Sequence, residues 1–232
     1  MVAQLPQTAQ AQGGGVTAQW LGHTCFVFSG SGIRILVNPF RPIACTRGLP
    51  APRVSADLVM ISSRLMDEGF IEGLSGRPKL LFEPGSYRVS GLQIQGVKSN
   101  HDRVGGFRFG ENVCWAWTQG GVRIVHLGGI ASPITIEQKI LFGKPDLLLI
   151  PVGGSDKAYN AEEARAAITA LQPRMVVPTH YSTGASDPKT CNLSTVDEFL
   201  KLMAGTPIRR GGGSLSLSPG SLPGQTTITV MS

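Results

Sequence analysis

The run Leu147-Leu148-Leu149-Ile150 has no polar position. A strand of that composition has to be covered on both faces, as strands of parallel sheets are. Downstream, Ala164, Ala167, Ile168 and Leu171 fall at the spacing of one helix face. Asn160 and Glu163 offer that helix a capping box, and Pro173 stops it. Met175-Val176-Val177 then reads as a second buried strand. Strand, helix and strand form a βαβ unit, which commits the chain to a sheet with helices packed outside it.

The remainder is written in shorter strands. Val16 to Trp20, Cys25 to Phe28 and Ile33 to Val37 read as strands, the last two joined by a Gly30-Ser31-Gly32 turn. Leu58 to Ser62 is a short buried strand, and Phe70, Ile71 and Leu74 suggest a short helix beginning near Asp67. Leu92 to Gln95 alternates, and Val113 to Thr118 and Val122 to Val125 flank a Gln119-Gly120-Gly121 hairpin. Val196, Phe199, Leu200 and Met203 predict a last helix, ended by Gly205, before strands at Ser214 to Ser218 and Thr226 to Val230. With 30 Gly and 16 Pro among 232 residues, turns and short strands outweigh long helices. Residues 1–15, rich in Gln, Ala and Gly, read as a flexible tail, and 16–232 as one domain.

Several function classes drop out. The net charge is +6, but the basic residues are scattered and only Arg209-Arg210 is adjacent, so nucleic acid is not the expected partner. The apolar runs are far short of the ~20 residues that span a bilayer. The N-terminus lacks the basic and apolar regions of a signal peptide, so a cytoplasmic location is expected. Cys25, Cys45, Cys114 and Cys191 show no paired spacing and are expected to be buried, reduced thiols.

The four histidines, His23, His101, His126 and His180, all fall at or just beyond predicted strands. Strand ends are where α/β folds place functional side chains, and metal ligation is the commonest reason to collect imidazoles there. Trp20-Leu21-Gly22-His23, Ile35 to Phe40, His126-Leu127-Gly128-Gly129, Pro151-Val152-Gly153-Gly154 and Pro178-Thr179-His180-Tyr181 occur in order. Over residues 16–232 this set resembles the metallo-β-lactamase-fold hydrolases, most of all their L-ascorbate-6-phosphate lactonase-like branch. The resemblance implies a four-layer αββα sandwich with its site at the sheet edges.

It also implies two zinc ions held by a His-x-His-x-Asp-His run, a later His, a bridging Asp and a final His. Aligned on the strand ending at Ser62, the run in this chain is Ser63-Arg64-Leu65-Met66-Asp67-Glu68. Ser63, Leu65 and Glu68 stand at three histidine positions and Gly129 at the bridging Asp; Asp67, His101 and His180 are retained. Asn38 replaces an acid the family often carries. A side chain such as Leu65 ligates nothing, and a glycine offers no donor. The expectation is a degenerate metal site without a resident metal or catalytic residues. It would be a pseudoenzyme kept for binding another protein or a small ligand. The alternative is an active single-metal hydrolase or lactonase in which Asp67, Glu68, His101 and His180 hold one Zn, Mn or Fe ion. His23, Ser63, Leu65, His126 and Gly129 are expected to line the pocket.

Overall fold

A computed structural model describes residues 14–232. The expectation of a flexible tail therefore falls, for residues 1–13, outside the described residues. Two sheets stack face to face. The six-stranded sheet is assembled from β1 (Val16–Gly22), β2 (Cys25–Gly30), β3 (Ile33–Val37), β4 (Leu58–Met60), β5 (Lys79–Leu81) and, late in the chain, β13 (Ser214–Leu217), in the order β13-β1-β2-β3-β4-β5. The eight-stranded sheet runs β12-β14-β11-β10-β9-β8-β7-β6. Its members are β6 (Gly85–Val89), β7 (Leu92–Asn100), β8 (Glu111–Gln119), β9 (Val122–His126), β10 (Leu147–Pro151), β11 (Met175–Thr179), β12 (Ile208–Arg210) and β14 (Thr227–Val230).

The βαβ unit forms as the sequence predicts. β10 and β11 pair in parallel, Leu147 opposite Met175. Between them runs α2 (Ala161–Leu171), with Asn160 and Glu163 capping each other's backbone and Gln172 left-handed at its end. Both hairpin turns form with positive φ at Ser31 and Gly32 and at Gly120 and Gly121, the geometry that matches strand twist.

The main core lies between the sheets, where Phe26, Phe28, Ile35 and Met60 meet Trp115, Trp117, Ile124 and Leu149. Phe28 and Trp117 pack edge to face at 5.0 Å. The outer face of the larger sheet is covered by α1 (Ile136–Phe142), α2 and α3 (Val196–Leu202), through Phe142, Ala164, Ile168 and Phe199. On the smaller sheet the outer layer is loop: Leu49, Val54 and Leu74 lie over Val27, Leu36 and Val59. The short helix expected from Asp67 to Leu74 is absent; the segment is a chain of turns. Gly69 explains part of this. A Cβ there would lie 2.0 Å from the Ser63 carbonyl oxygen, and Gly73 and Gly76 take positive φ. No helix among the described residues is long and apolar enough to cross a membrane.

The expectation of four buried, reduced thiols holds for two cysteines and fails for the other two. Cys45 and Cys191 form a disulfide across 146 residues of chain, whereas Cys25 and Cys114 are buried free thiols. Spacing along the sequence held no sign of this, because the two loops meet only in the fold. The bond ties the 3-10 turn Ala44–Thr46 to the 183–195 loop, where Arg47 also pairs with Asp187 and Asp187 N–H donates to the Ala44 carbonyl. Disulfides persist in oxidising surroundings and are rare in mesophilic cytosol, so this pairing runs against the cytoplasmic expectation. Closing so long a loop stabilises by about 2–4 kcal/mol. Cys191→Ser is expected to lower the urea midpoint as far as full reduction of the wild-type protein does, and to steepen the slope in both because the uncrosslinked unfolded chain exposes more surface. An unchanged midpoint in both would mean that the bond contributes nothing.

Candidate metal centre

The site forms where strands of both sheets end side by side. His23 sits in the β1–β2 turn, Ser63 to Glu68 follow β4, His101 follows β7, Gly129 lies beyond β9, and His180 follows β11. Both His23 and His180 are buried and left-handed, with φ of 53° and 52°. Such backbone strain, about 1–3 kcal/mol per residue, collects at functional sites. It turns the two imidazoles toward each other, their ring centres 4.2 Å apart. Asn38, at φ 50°, has Oδ1 accepting the Ser62 backbone N–H at 2.7 Å. Asn38 therefore shapes the β4 exit and supplies no acid.

Glu68 is wholly buried beneath them. Its Oε2 faces His101 Nε2 at 2.9 Å and accepts a weaker bond from Ser63 Oγ at 3.3 Å. The other His101 nitrogen, Nδ1, lies 2.7 Å from the Lys157 carbonyl. With acceptors at both ring nitrogens, His101 donates twice and is an imidazolium. Burial alone would lower its pKa, but the Glu68 carboxylate raises it above the ordinary value. Burial likewise opposes ionisation of Glu68, and His101 outweighs it, so the carboxyl stays below its usual range.

The second acid is handled differently. Asp67 is partly buried, and its Oδ2 pairs with the Lys157 ammonium. That cation overcomes the burial penalty and holds the Asp67 pKa down. Lys157 thus serves the site twice, by its side chain on Asp67 and by its carbonyl on His101. Sequence reasoning missed it; the available signal was its place in the loop after the fully apolar strand β10, on the edge where ligands bind in α/β sheets.

Four ligand-capable atoms of three residues remain without hydrogen-bond partners: His23 Nε2, Glu68 Oε1 and both nitrogens of His180. All three residues are buried, and their ligand atoms lie within 4.8 Å of one another; His180 Nε2 is 3.9 Å from Glu68 Oε1. Burial lowers the pKa of His23, although the nearby carboxylates pull the other way, and drives that of His180 far down. Both imidazoles are neutral at pH 7, the form that binds metal. The grouping differs from the expected residual set. His23, read as pocket-lining, joins Glu68 and His180, while Asp67 and His101 are engaged with Lys157 and Glu68.

The other sequence-predicted positions are explained by packing. A Cβ on Gly129 would lie 2.3 Å from His101 Cε1 and 2.8 Å from Glu68 Oε1. The volume that a bridging Asp side chain needs is occupied by the Glu68–His101 pair. Leu65 lines the cavity above the site. His126 is buried and structural: Nε2 donates to the Thr24 carbonyl at 2.9 Å, and Nδ1 accepts the Gly128 N–H. Burial pushes its pKa down to about 4. The Asp102 carboxylate makes no hydrogen bond to the neighbouring His101 ring. It accepts backbone N–H groups from Val104, Gly106, Arg108 and Phe109 and fixes that loop. Arg103 bonds Glu163 and the carbonyls of Ser155 and Ala158, holding the loop that carries Lys157.

With this geometry in place, the comparisons are decisive on family. The description "Beta-lactamase superfamily domain" matches residues 17–180. The chain belongs to the metallo-β-lactamase superfamily. A crystal structure from Thermotoga maritima, described as a candidate Zn-dependent hydrolase of that superfamily, superposes with a TM-score of 0.75 at 30% identity, covering 93% of this chain and 98% of that one. A UPF0173 metal-dependent hydrolase of Thermococcus onnurineus is 28% identical over 81% of this chain and 92% of its own. A UPF0173 protein of Pyrococcus furiosus is 29% identical over 73% and 86%.

The Asp102 carboxyl yields a pH prediction. Its four backbone bonds outweigh burial and hold its pKa at about 2, below the ~3.9 of an unfolded chain. A group with a depressed folded pKa stabilises fully above its unfolded value and loses that contribution as pH falls through the folded one. Asp102→Asn is therefore expected to lower Tm at pH 7, with the gap to wild type narrowing as pH drops from about 4 toward 2. A pH-independent gap would show that the charge contributes nothing.

Proposed function

We propose that this superfamily member is a metal-dependent hydrolase with a single, re-formed metal centre. His23, Glu68 and His180 would hold the ion. The observation that carries the reading is the convergence of three buried, unpartnered donors on one point. Buried polar atoms are normally satisfied, and a cluster of exceptions calls for a missing partner. Two neutral imidazoles and one carboxylate form a His2Glu donor set, known from catalytic zinc sites that keep an open position. The names of the metal-dependent relatives agree with it.

A divalent ion there supplies Lewis acidity, polarising a substrate carbonyl or phosphoryl oxygen and making water more acidic. The chain's own residues do the rest. Asp67, held ionised by Lys157 at the pocket wall, accepts a hydrogen bond from the attacking water and orients it. His101 fixes Glu68 through Oε2 and leaves Oε1 for the ion. Ser63 steadies the same carboxylate oxygen as His101.

A second reading rests on a specific observation. Lys157 neutralises Asp67 and His101 neutralises Glu68, so the site is charge-balanced without any ion. That balance suits a non-catalytic protein that binds a small ligand or another protein. Metal analysis separates the two. Protein purified without chelator is expected to carry about one divalent ion per chain, with His23→Ala and His180→Ala each cutting affinity at least tenfold while the fold survives by circular dichroism. Wild-type protein that takes up no metal, even after incubation with excess Zn, Mn or Fe(II), would overturn the hydrolase reading in favour of the binding one.

A further inference from the structure

Above the candidate centre lies a cavity of 460 Å³ whose floor includes His23, Asp67, Lys157 and His180. That size suits a small molecule. Its upper wall is apolar: Ile43, Leu65, Met66, Phe109 and Leu193 face the space. Met66 and Ile43 are 50% and 36% exposed there, which leaves hydrocarbon uncovered at the cavity mouth.

The charges lining the cavity are paired. Lys157 is bound to Asp67, and Arg108 pairs with Asp156 at 2.5 Å and lies over the Phe109 ring. Lys157 is thereby committed to Asp67, whereas Arg108 and Asp156 are 63% and 60% exposed and screened by solvent. A hydrocarbon tail needs no charged partner there. It takes the place of water against Ile43, Met66 and Phe109.

The wall is also fixed. Cys45 of the disulfide lines the cavity beside Ile43, and Asp102 holds the backbone of Phe109. A binding surface held rigid in advance loses less entropy when occupied.

We infer that the site takes a small carbonyl compound bearing an alkyl or aryl tail that lies against this wall, an ester in the hydrolytic case. The inference deepens the hydrolase reading and rests on it for the chemical step. In that step the water oxygen bonds to the ester carbonyl carbon and the acyl C–O bond breaks. Of the two water protons, one reaches the departing alkoxide, which leaves as an alcohol, and the other goes to solvent as the acid is released as a carboxylate.

The test reads binding separately from turnover. N-alkyl acetamides with tails of two to eight carbons serve as slowly reacting probes. Titration calorimetry on protein with and without metal is expected to show Kd tightening by about fourfold per added methylene. Met66→Glu, at an exposed position, is expected to flatten the dependence on tail length, whereas Arg165→Gln, on the exposed face of α2 and outside the cavity, should leave it unchanged. A flat series in the wild type or a slope that survives Met66→Glu would overturn the inference. Because the metal-free arm is read independently, a tail-length slope without metal uptake sinks only the hydrolase reading. Metal uptake with a flat slope sinks only this one.

Discussion

The site depends on burying the Glu68 carboxylate with no exposure to solvent. An isolated carboxylate in that position would be neutralised by a proton or expelled toward water. It stays ionised because His101, clamped between Glu68 Oε2 and the Lys157 carbonyl, carries the opposite charge. The glycine at 129 makes room for this pair, and any side chain there would displace it. The other carboxylate oxygen, Oε1, is left facing His23 and His180. One ion pair thus accounts for the glycine, the orientation of the carboxylate and the open point between two imidazoles.

Lys157 and Arg103 extend that arrangement outward. Arg103 fixes the 155–158 backbone, Lys157 on that loop holds both His101 and Asp67, and Asp102 fixes the neighbouring loop that carries Arg108 and Phe109. The result is a rigid polar floor beneath an apolar wall, with the disulfide closing the far side. Such a division of labour lets the floor provide chemistry and the wall provide selection.

The sequence carried the elements with strong period: the apolar strand at Leu147, the capped helix after Asn160 and the two glycine-bearing hairpins all form where patterning placed them. The stretch after Asp67 misled because Phe70, Ile71 and Leu74 imitate a helical face, while the glycines among them favour turns. The candidate site was legible in part. Glu68, His101 and His180 were marked by their positions, but which of them face one another depends on φ at His23 and His180 and on the volume at Gly129. Neither quantity is written in local pattern. The Cys45–Cys191 bond was invisible for the same reason, since it joins segments far apart in the chain, and Lys157 was marked only by its place in the loop after β10.

The central claim is that one ion sits between His23, Glu68 and His180. The most direct measurement is an anomalous difference map from crystals grown with Zn, collected on both sides of the absorption edge. The account predicts a single peak within ligand distance of His23 Nε2, Glu68 Oε1 and His180 Nε2, with Lys157 still paired to Asp67. A peak centred on Asp67 with Lys157 displaced, or no peak in zinc-soaked crystals, would contradict it.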